Sequence, residues 1–196
     1  MKKLTLTSLY LLVFFSTVSS QGQYSYKNKG YFNLSGISYY GITRMEEDYL
    51  KDGIDNLVTK HPTNHTHGVS VQTVNGWFLG PYVSAGIGVG YDYYSKPKLS
   101  TFPIFFDLRI YLSNGRNSFF LYGDIGTVLG STKTYYIKSG IFTAGLGYKF
   151  FIGDKHSLTA SIGLDGKSFA KSAYQPPNPV HAFVINSTII SIGYLF

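Results

Sequence analysis

Residues 83 to 94 alternate between two kinds of side chain, and this alternation constrains the fold more than any other feature. One parity contains Val83, Ala85, Ile87, Val89, Tyr91 and Tyr93, and the other contains Ser84, Gly86, Gly88, Gly90 and Asp92. A period of two residues is the signature of a β-strand whose two faces meet different surroundings. The sequence therefore predicts a strand here, with one large apolar face and one small polar face.

Seven further segments alternate in the same way, although the first two do so weakly. Apolar parity in the first segment consists of Phe32, Leu34 and Tyr40, and in the second of Val69 and Val71. Together with 83–94, the eight predicted strands cover about 30–41, 67–76, 101–112, 118–129, 142–150, 158–167 and 181–196.

The connections between these strands alternate between short and long. Short turns are predicted near Asn75-Gly76, at Ser113–Asn117 and at Gly153–His156, because Gly and Asn favour tight hairpins. Longer polar loops are predicted at 42–66, 95–100, 130–138 and 169–180. This rhythm indicates an all-β fold, an eight-stranded antiparallel up-and-down transmembrane β-barrel with both chain ends on the side of the short turns.

The first twenty residues read as an export signal. A basic start at Met1–Lys3 precedes an apolar run from Leu4 to Val18, and small residues follow up to Ser20. We expect cleavage before Gln21, which leaves residues 21–196 as one barrel domain. A retained transmembrane helix is the alternative, but the run is short for a span of about 20 apolar residues.

The polar parity separates a membrane barrel from a soluble one. It consists mostly of Gly, Ser and Thr with single charges, and only 14% of the chain is charged, against about 25% in soluble domains. Small residues suit a narrow interior, so the large apolar residues are predicted to face lipid. A secreted soluble barrel remains the alternative fold. No nucleic-acid motif accompanies the net charge of +7, which could instead meet anionic lipopolysaccharide.

Three stretches carry a resemblance to a known class of proteins. The ending Ile192–Phe196 resembles the last strand of bacterial outer-membrane proteins, and Val71–Trp77 and Phe106–Arg109 resemble small outer-membrane β-barrel proteins of Bacteroidetes-type bacteria, barrels of the OmpA and OmpX type. The resemblance implies a location in the cell outer membrane. It also implies that Phe196 is an assembly signal read by the barrel-assembly machinery. We expect a monomer.

Candidate chemistry begins with charges that the alternation places inside the barrel. Asp107 and Arg109 share the inward face of one strand, and Asp124 lies inward on its hairpin partner. The pattern predicts a structural salt-bridge network in a filled lumen. A proton or ion pathway through a narrow channel is the alternative.

Other candidate sites have weaker signals. His61, His65 and His67 in the first long loop could hold a metal, and Ser168, Ser172 and His181 have the residue types of a lipid A-modifying enzyme, but no catalytic motif surrounds them. We expect no catalytic residues, no metal and no cofactor. The expected role is structural or surface-interacting, and the first long loop, with Glu46, Glu47, Asp48, Asp52 and Asp55, is the best candidate for an outside contact.

Overall fold

The protein is described by a computed structural model over most of its length. The described residues are 28–51, 55–60, 63, 66–96, 98–131, 136–152, 156–171 and 181–196. They contain no helix, and hence none that is long and apolar enough to cross a membrane. The predicted signal at 1–20 lies outside these residues, so the division at Gln21 stays a prediction.

Nine β-strands make up the described fold. They are β1 (Gly30–Lys51), β2 (Asp55–Lys60), β3 (His67–Phe78), β4 (Val83–Tyr94), β5 (Leu99–Tyr111), β6 (Ser118–Ser131), β7 (Tyr136–Phe151), β8 (Ser157–Lys171) and β9 (His181–Leu195). Neighbours run in the order β2-β1-β3-β4-β5-β6-β7-β8-β9, and β1 also pairs with β9. Each of these pairings is antiparallel.

The β1–β9 pairing closes the sheet into a barrel. Its register aligns Leu34 with Leu195 and Tyr49 with His181. Strand β2 pairs only with the far half of β1, from Glu46 to Lys51, so the barrel wall contains eight strands. The predicted eight-stranded antiparallel barrel is therefore confirmed. We call the end with the start of β1 and the close of β9 the turn end, and the opposite end the loop end.

The first predicted turn is wrong. Asn75 and Gly76 lie inside β3, and the chain reverses at residues 79–82, where the Leu79 N–H donates to the carbonyl of Val83 at 2.9 Å. Gly76 is required by packing, because a Cβ there would lie 2.7 Å from Cζ of Phe32 and 2.4 Å from the Ala85 carbonyl oxygen. The glycine of this Asn-Gly pair therefore makes room for the Phe32 ring and the backbone of β4, and it does not form a hairpin turn.

The first predicted loop, 42–66, is also largely wrong. Strand β1 continues through it to Lys51 and forms a hairpin with β2. The other three predicted loops lose residues to strands as well, namely 99–100, 130–131, 136–138 and 169–171. The wall extends further at the loop end because the polar residues there still pair their backbones, as in the Glu46–Lys60 register pair.

Side-chain orientation follows the predicted parity over most of the wall. Ile87, Ile125 and Phe142 are 61%, 64% and 62% exposed, while Asp92 and Asp107 are nearly fully buried. Two faces of one wall therefore meet opposite surroundings, with large apolar side chains outside and small or charged ones inside.

Strand β1 is the exception, because its predicted parity is reversed. Phe32, Leu34 and Tyr40 point into the barrel and are buried, whereas Ile37 and Tyr39 are exposed. The inward aromatics are accommodated by glycines on neighbouring strands, as at Gly76, the register partner of Phe32 on β3. Apolar character alone did not identify the outer face of this strand.

Apolar side chains fill both ends of the lumen. The loop-end cluster comprises Tyr40, Ile42, Met45, Tyr94, Leu99, Phe169, Phe183, Ile185 and Ile189. Toward the turn end, two further clusters comprise Phe32, Leu34, Val74, Phe105 and Leu195, and Tyr111, Phe120 and Tyr122, with Phe78 packed against both. Charged side chains are buried in the lumen alongside these clusters, namely Asp92, Asp107, Arg109, Asp124, Lys149, Asp165 and Lys167.

Candidate functional site

Three basic side chains project into the lumen at different heights, and each organises a polar layer. Lys167 lies on β8 near the loop end, Arg109 lies on β5 closer to the turn end, and Lys149 lies on β7 next to the turn that follows it. All three are buried, with relative exposures of 5% or less.

Lys167 has the densest set of partners. Its Nζ donates to Asp92 Oδ2 and to the Tyr94 hydroxyl, both at 2.7 Å, and to the Tyr40 hydroxyl at 3.3 Å. Asp165 Oδ2 lies 3.8 Å from the same nitrogen. The Tyr40 ring centroid is 4.5 Å from Nζ, within the range of cation–π attraction. These five residues define the Lys167 layer.

Threonine hydroxyls donate further hydrogen bonds to both carboxylates. Thr101 donates to Asp92 Oδ2 at 3.1 Å, and Thr143 donates to Asp165 Oδ1 at 2.9 Å. A buried ion pair is stable only when additional hydrogen bonds replace the lost water. The Lys167 layer meets this condition at Asp92, which accepts from Tyr40, Thr101 and Lys167. Asp165 Oδ2, by contrast, has no hydrogen-bond partner among the described residues.

The Lys167 layer ties opposite walls of the barrel together. Strands β4 and β8 are four positions apart in the closed ring of eight, so Asp92 and Lys167 come from diametrically opposite strands. Parity predicted that Asp92, Asp165 and Lys167 point inward, but it carried no signal that residues 75 positions apart would meet. The sequence reasoning missed this cluster for that reason.

The predicted Asp107, Arg109 and Asp124 group is only partly assembled. Arg109 Nε donates to Asp107 Oδ1 at 3.1 Å and to Oδ2 at 3.0 Å, and the Nη2 group donates to Oδ2 at 2.9 Å. The guanidinium lies 5.1 Å from the Phe120 ring centroid and 5.6 Å from that of Tyr122. Asp107 and Arg109 thus form a pair within one strand, stacked on two aromatic rings.

Asp124 occupies the position opposite Asp107 in the β5–β6 register. Its side chain is 7% exposed, and its Oδ1 atom has no hydrogen-bond partner among the described residues. The Arg109 layer therefore brings two carboxylates side by side, but the fork of the guanidinium engages Asp107.

Lys149 closes the lumen at the turn end. Its Nζ donates to Asn28 Oδ1 and lies 5.0 Å from the Tyr111 ring centroid. Asn28 Nδ2 in turn donates to the Pro81 carbonyl at 2.9 Å. Asn28, two residues before β1, thereby joins Lys149 to the first turn.

Little space remains between the layers. Two small cavities have volumes of about 10 and 20 Å³. Gln72, Asp124 and Ile189 line both of them. Each is large enough for about one water molecule. These two cavities thus offer water sites beside Asp124 and are too small for an organic substrate.

The weaker candidates do not assemble into a site within the described residues. His61, His65 and Ser172 lie outside those residues. His67 begins β3, faces outward and stacks on Tyr39 with ring centroids 6.1 Å apart. Ser168 is exposed on the outer face of β8, and no group of three potential metal ligands occurs in the described ranges.

Phe196 extends the barrel seam by one residue. Its N–H and carbonyl exchange hydrogen bonds with Asn33 at 3.0 and 2.9 Å, and its side chain is half-exposed on the outer face. The ring centroid lies 6.2 Å from that of Tyr194. Recognition of this outward aromatic by assembly machinery stays a prediction.

Comparison with known proteins yields structural likeness without sequence relatives. No protein-family model matches the chain, and no curated protein does. The outer membrane protein OprG from Pseudomonas aeruginosa is similar over 88% of this chain and 98% of its own, with a TM-score of 0.51 and 10% identity. The outer membrane protein AlkL, solved in DMPC lipid bilayers, is similar over 90% and 93%, with a TM-score of 0.51 and 11% identity. The shared feature is the fold, an eight-stranded barrel of the outer-membrane type.

Proposed function

We propose that this chain is an integral outer-membrane β-barrel protein with a structural or surface-interaction role and no catalytic activity. The observation that carries the proposal is the outward belt of large apolar side chains around a closed wall. Val71, Ile125 and Leu164 are 62%, 64% and 70% exposed, and they lie on β3, β6 and β8, which are spread around the barrel. Water would not tolerate so extensive an apolar surface on a monomer, whereas lipid would.

Closure of the backbone supports the same location. Hydrocarbon offers no hydrogen-bond partners, so a spanning sheet must have no open edge. The β1–β9 pairing removes that edge along the wall. A soluble barrel would not require the combination of a closed wall and an apolar exterior, so the secreted alternative is less well supported.

Aromatic residues mark the turn-end border of the belt. Tyr31 and Trp77 form an edge-to-face pair with centroids 5.4 Å apart, and Phe119 and Tyr148 form another at 4.6 Å. Such rings are typical of the girdles at membrane interfaces. Tyr40, which its parity predicted to face lipid, lies inside the barrel instead.

The filled lumen directs the functional role to the loop end. The β1–β2 hairpin extends beyond the start of β3 and carries charges, with Arg44 hydrogen-bonded to Glu46 and Lys60 Nζ 4.0 Å from the same carboxylate. The Arg44 bond lowers the pKa of Glu46. We propose this hairpin, in place of the predicted loop, as the surface that contacts an external partner.

Two finer proposals rest on the sequence resemblance alone. The first is an origin in a Bacteroidetes-type bacterium, and the second is delivery through Phe196 to the barrel-assembly machinery. Replacement of Phe196 by Ser tests the second proposal, because it leaves the seam hydrogen bonds of the backbone available. We expect slower membrane assembly with an unchanged final barrel.

Membrane fractionation tests the central proposal. We expect the full chain, expressed in a Gram-negative host, to be recovered in the outer-membrane fraction. Its mobility on gels is expected to change on heating. Recovery in the aqueous fraction without detergent would contradict it. A changed lipid A mass would indicate an enzyme instead, and single-channel currents in planar bilayers would indicate a pore.

A further inference from the structure

The outer face of β1 and β3 carries a polar patch where the belt should be apolar. Four consecutive outward positions of the two paired strands are polar, namely Asn33, Ser35, Thr73 and Asn75. Their neighbours in register on β4 are Ile87 and Val89. We call these four residues the polar patch.

The patch lies inside the belt and not at its border. Tyr31 and Trp77 mark the turn-end border on the same two strands. Strands rise about 3.4 Å per residue and tilt by about 40°, so Ser35 and Thr73 lie about 10 Å inward from that border in a belt about 25 Å tall. Polar groups at such depth are costly unless they are hydrogen-bonded.

The patch satisfies most of its own hydrogen bonds. Asn33 Nδ2 donates to Thr73 Oγ1 and to Asn75 Oδ1, both at 2.9 Å. The Ser35 hydroxyl donates to Asn33 Oδ1 at 2.9 Å, and its oxygen lies 2.9 Å from Thr73 Oγ1. Tyr31 also donates to Asn75 Oδ1. The two oxygen lone pairs of Asn75 are therefore used.

One donor and one acceptor are left over on the outer face. Among the described residues, Asn75 Nδ2 has no acceptor, and Asn33 Oδ1 accepts one hydrogen bond where an amide oxygen can accept two. The leftover donor and acceptor lie on adjacent strands at paired register positions. A surface with one of each is complementary to a copy of itself.

We propose that the polar patch is the interface of a homodimer in the membrane. A two-fold axis along the membrane normal would let Asn75 of each copy donate to Asn33 of the other, a reciprocal contact of the kind that two-fold interfaces contain. A second copy also presents the patch at the same depth by symmetry. The patch is uncharged, so it offers nothing to a charged partner. The proposal replaces the monomer expected from the sequence.

Site-specific crosslinking tests this dimer, because the chain contains no cysteine. Val71→Cys places a thiol beside the patch without altering it, and Ile125→Cys is the matched control on β6, across the barrel. The two positions are 62% and 64% exposed, and each lies seven residues from the turn end of its strand. Oxidation in intact membranes is expected to give at least tenfold more dimer from Val71→Cys.

The inference rests on the proposed membrane location, so only protein with heat-modifiable mobility in the membrane fraction is scored. Absence of that protein would contradict the proposed function, whereas equal crosslinking of Val71→Cys and Ile125→Cys would overturn the dimer alone. A crosslinked product of another mass would overturn the self-association in favour of a different protein.

A second variant tests the named contact. Asn33→Leu combined with Asn75→Leu in the Val71→Cys background is expected to reduce the dimer to the level of Ile125→Cys. Undiminished crosslinking by a correctly folded variant would overturn the role of the patch. The comparison of the two single-cysteine proteins remains decisive even if this variant does not assemble.

Discussion

The Lys167 layer and the Arg109 layer contain the same kinds of groups in opposite geometry. Lys167 reaches across the lumen to Asp92 on the facing wall, whereas Arg109 binds Asp107 two residues away on its own strand. A pair across the barrel fixes the distance between walls, but a pair within one strand only neutralises a buried charge. Equally buried ion pairs can therefore have different structural roles.

Loss of Lys167 is expected to have the largest effect. Lys167→Met leaves Asp92 and Asp165 buried without their shared cation, and breaking a buried pair costs about 4 kcal/mol. Urea unfolding in vesicles measures this loss through the fluorescence of Trp77, the one tryptophan of the chain. Lys29→Met is the control, because Lys29 is exposed at the turn end. Equal stability of the two variants would remove the distinction between the layers.

Loss of Arg109 is expected to be less severe. Arg109→Met leaves the Asp107 carboxylate buried without a cation, which lowers the free energy of unfolding by about 3 kcal/mol. Adding Asp107→Asn should restore most of the stability, since the pair neutralises itself within one strand. The same unfolding measurement checks both variants. Failure of the double variant to recover would mean that the pair also supports the packing of Phe120 and Tyr122.

Loss of the Thr101 hydroxyl, which supports the Lys167 layer, is expected to have a smaller effect on stability. Thr101→Val removes its hydrogen bond to Asp92, and bonds to charged groups contribute about 1.5 kcal/mol. Thr188→Val, on the outer face of β9, is the matched control with an expected change within about 0.5 kcal/mol. Comparable losses in both would show that Asp92 does not depend on this donor.

Sequence reasoning recovered the fold because alternation is a local signal. Asp107, Arg109 and Asp124 could be placed inside the barrel by counting residues, as could Lys167. Their partners could not be assigned, because the partner depends on which strands face each other across the lumen and at what height. Inward aromatics such as Phe32 were misplaced, since parity does not register the glycines that make room for them.

The Lys167 layer and the polar patch were not predicted from the sequence, and the reason is the same for both. The Lys167 layer and the polar patch both depend on registers between strands, which no single segment encodes. Asn33 and Asn75 are 42 residues apart, yet they are direct register partners. The turn predicted at Asn75-Gly76 also ended β3 too early, so the pairing of all of β3 with β1 could not be predicted.

Loss of the Asp124 charge is expected to change stability least, and in the opposite direction to the other variants. Asp124→Asn removes a buried charge whose Oδ1 lacks a partner and that lies opposite Asp107. We expect stability to be unchanged or to rise by up to about 1 kcal/mol, since relief of repulsion offsets any lost bond. Asp165→Asn is the matched control, since Asp165 Oδ2 also lacks a hydrogen bond. It should lose about 2 kcal/mol, because Asp165 accepts a hydrogen bond from Thr143 and lies 3.8 Å from Lys167 Nζ. A destabilised Asp124→Asn would mean that the carboxylate is needed in the Arg109 layer, and the predicted three-residue network would then be restored.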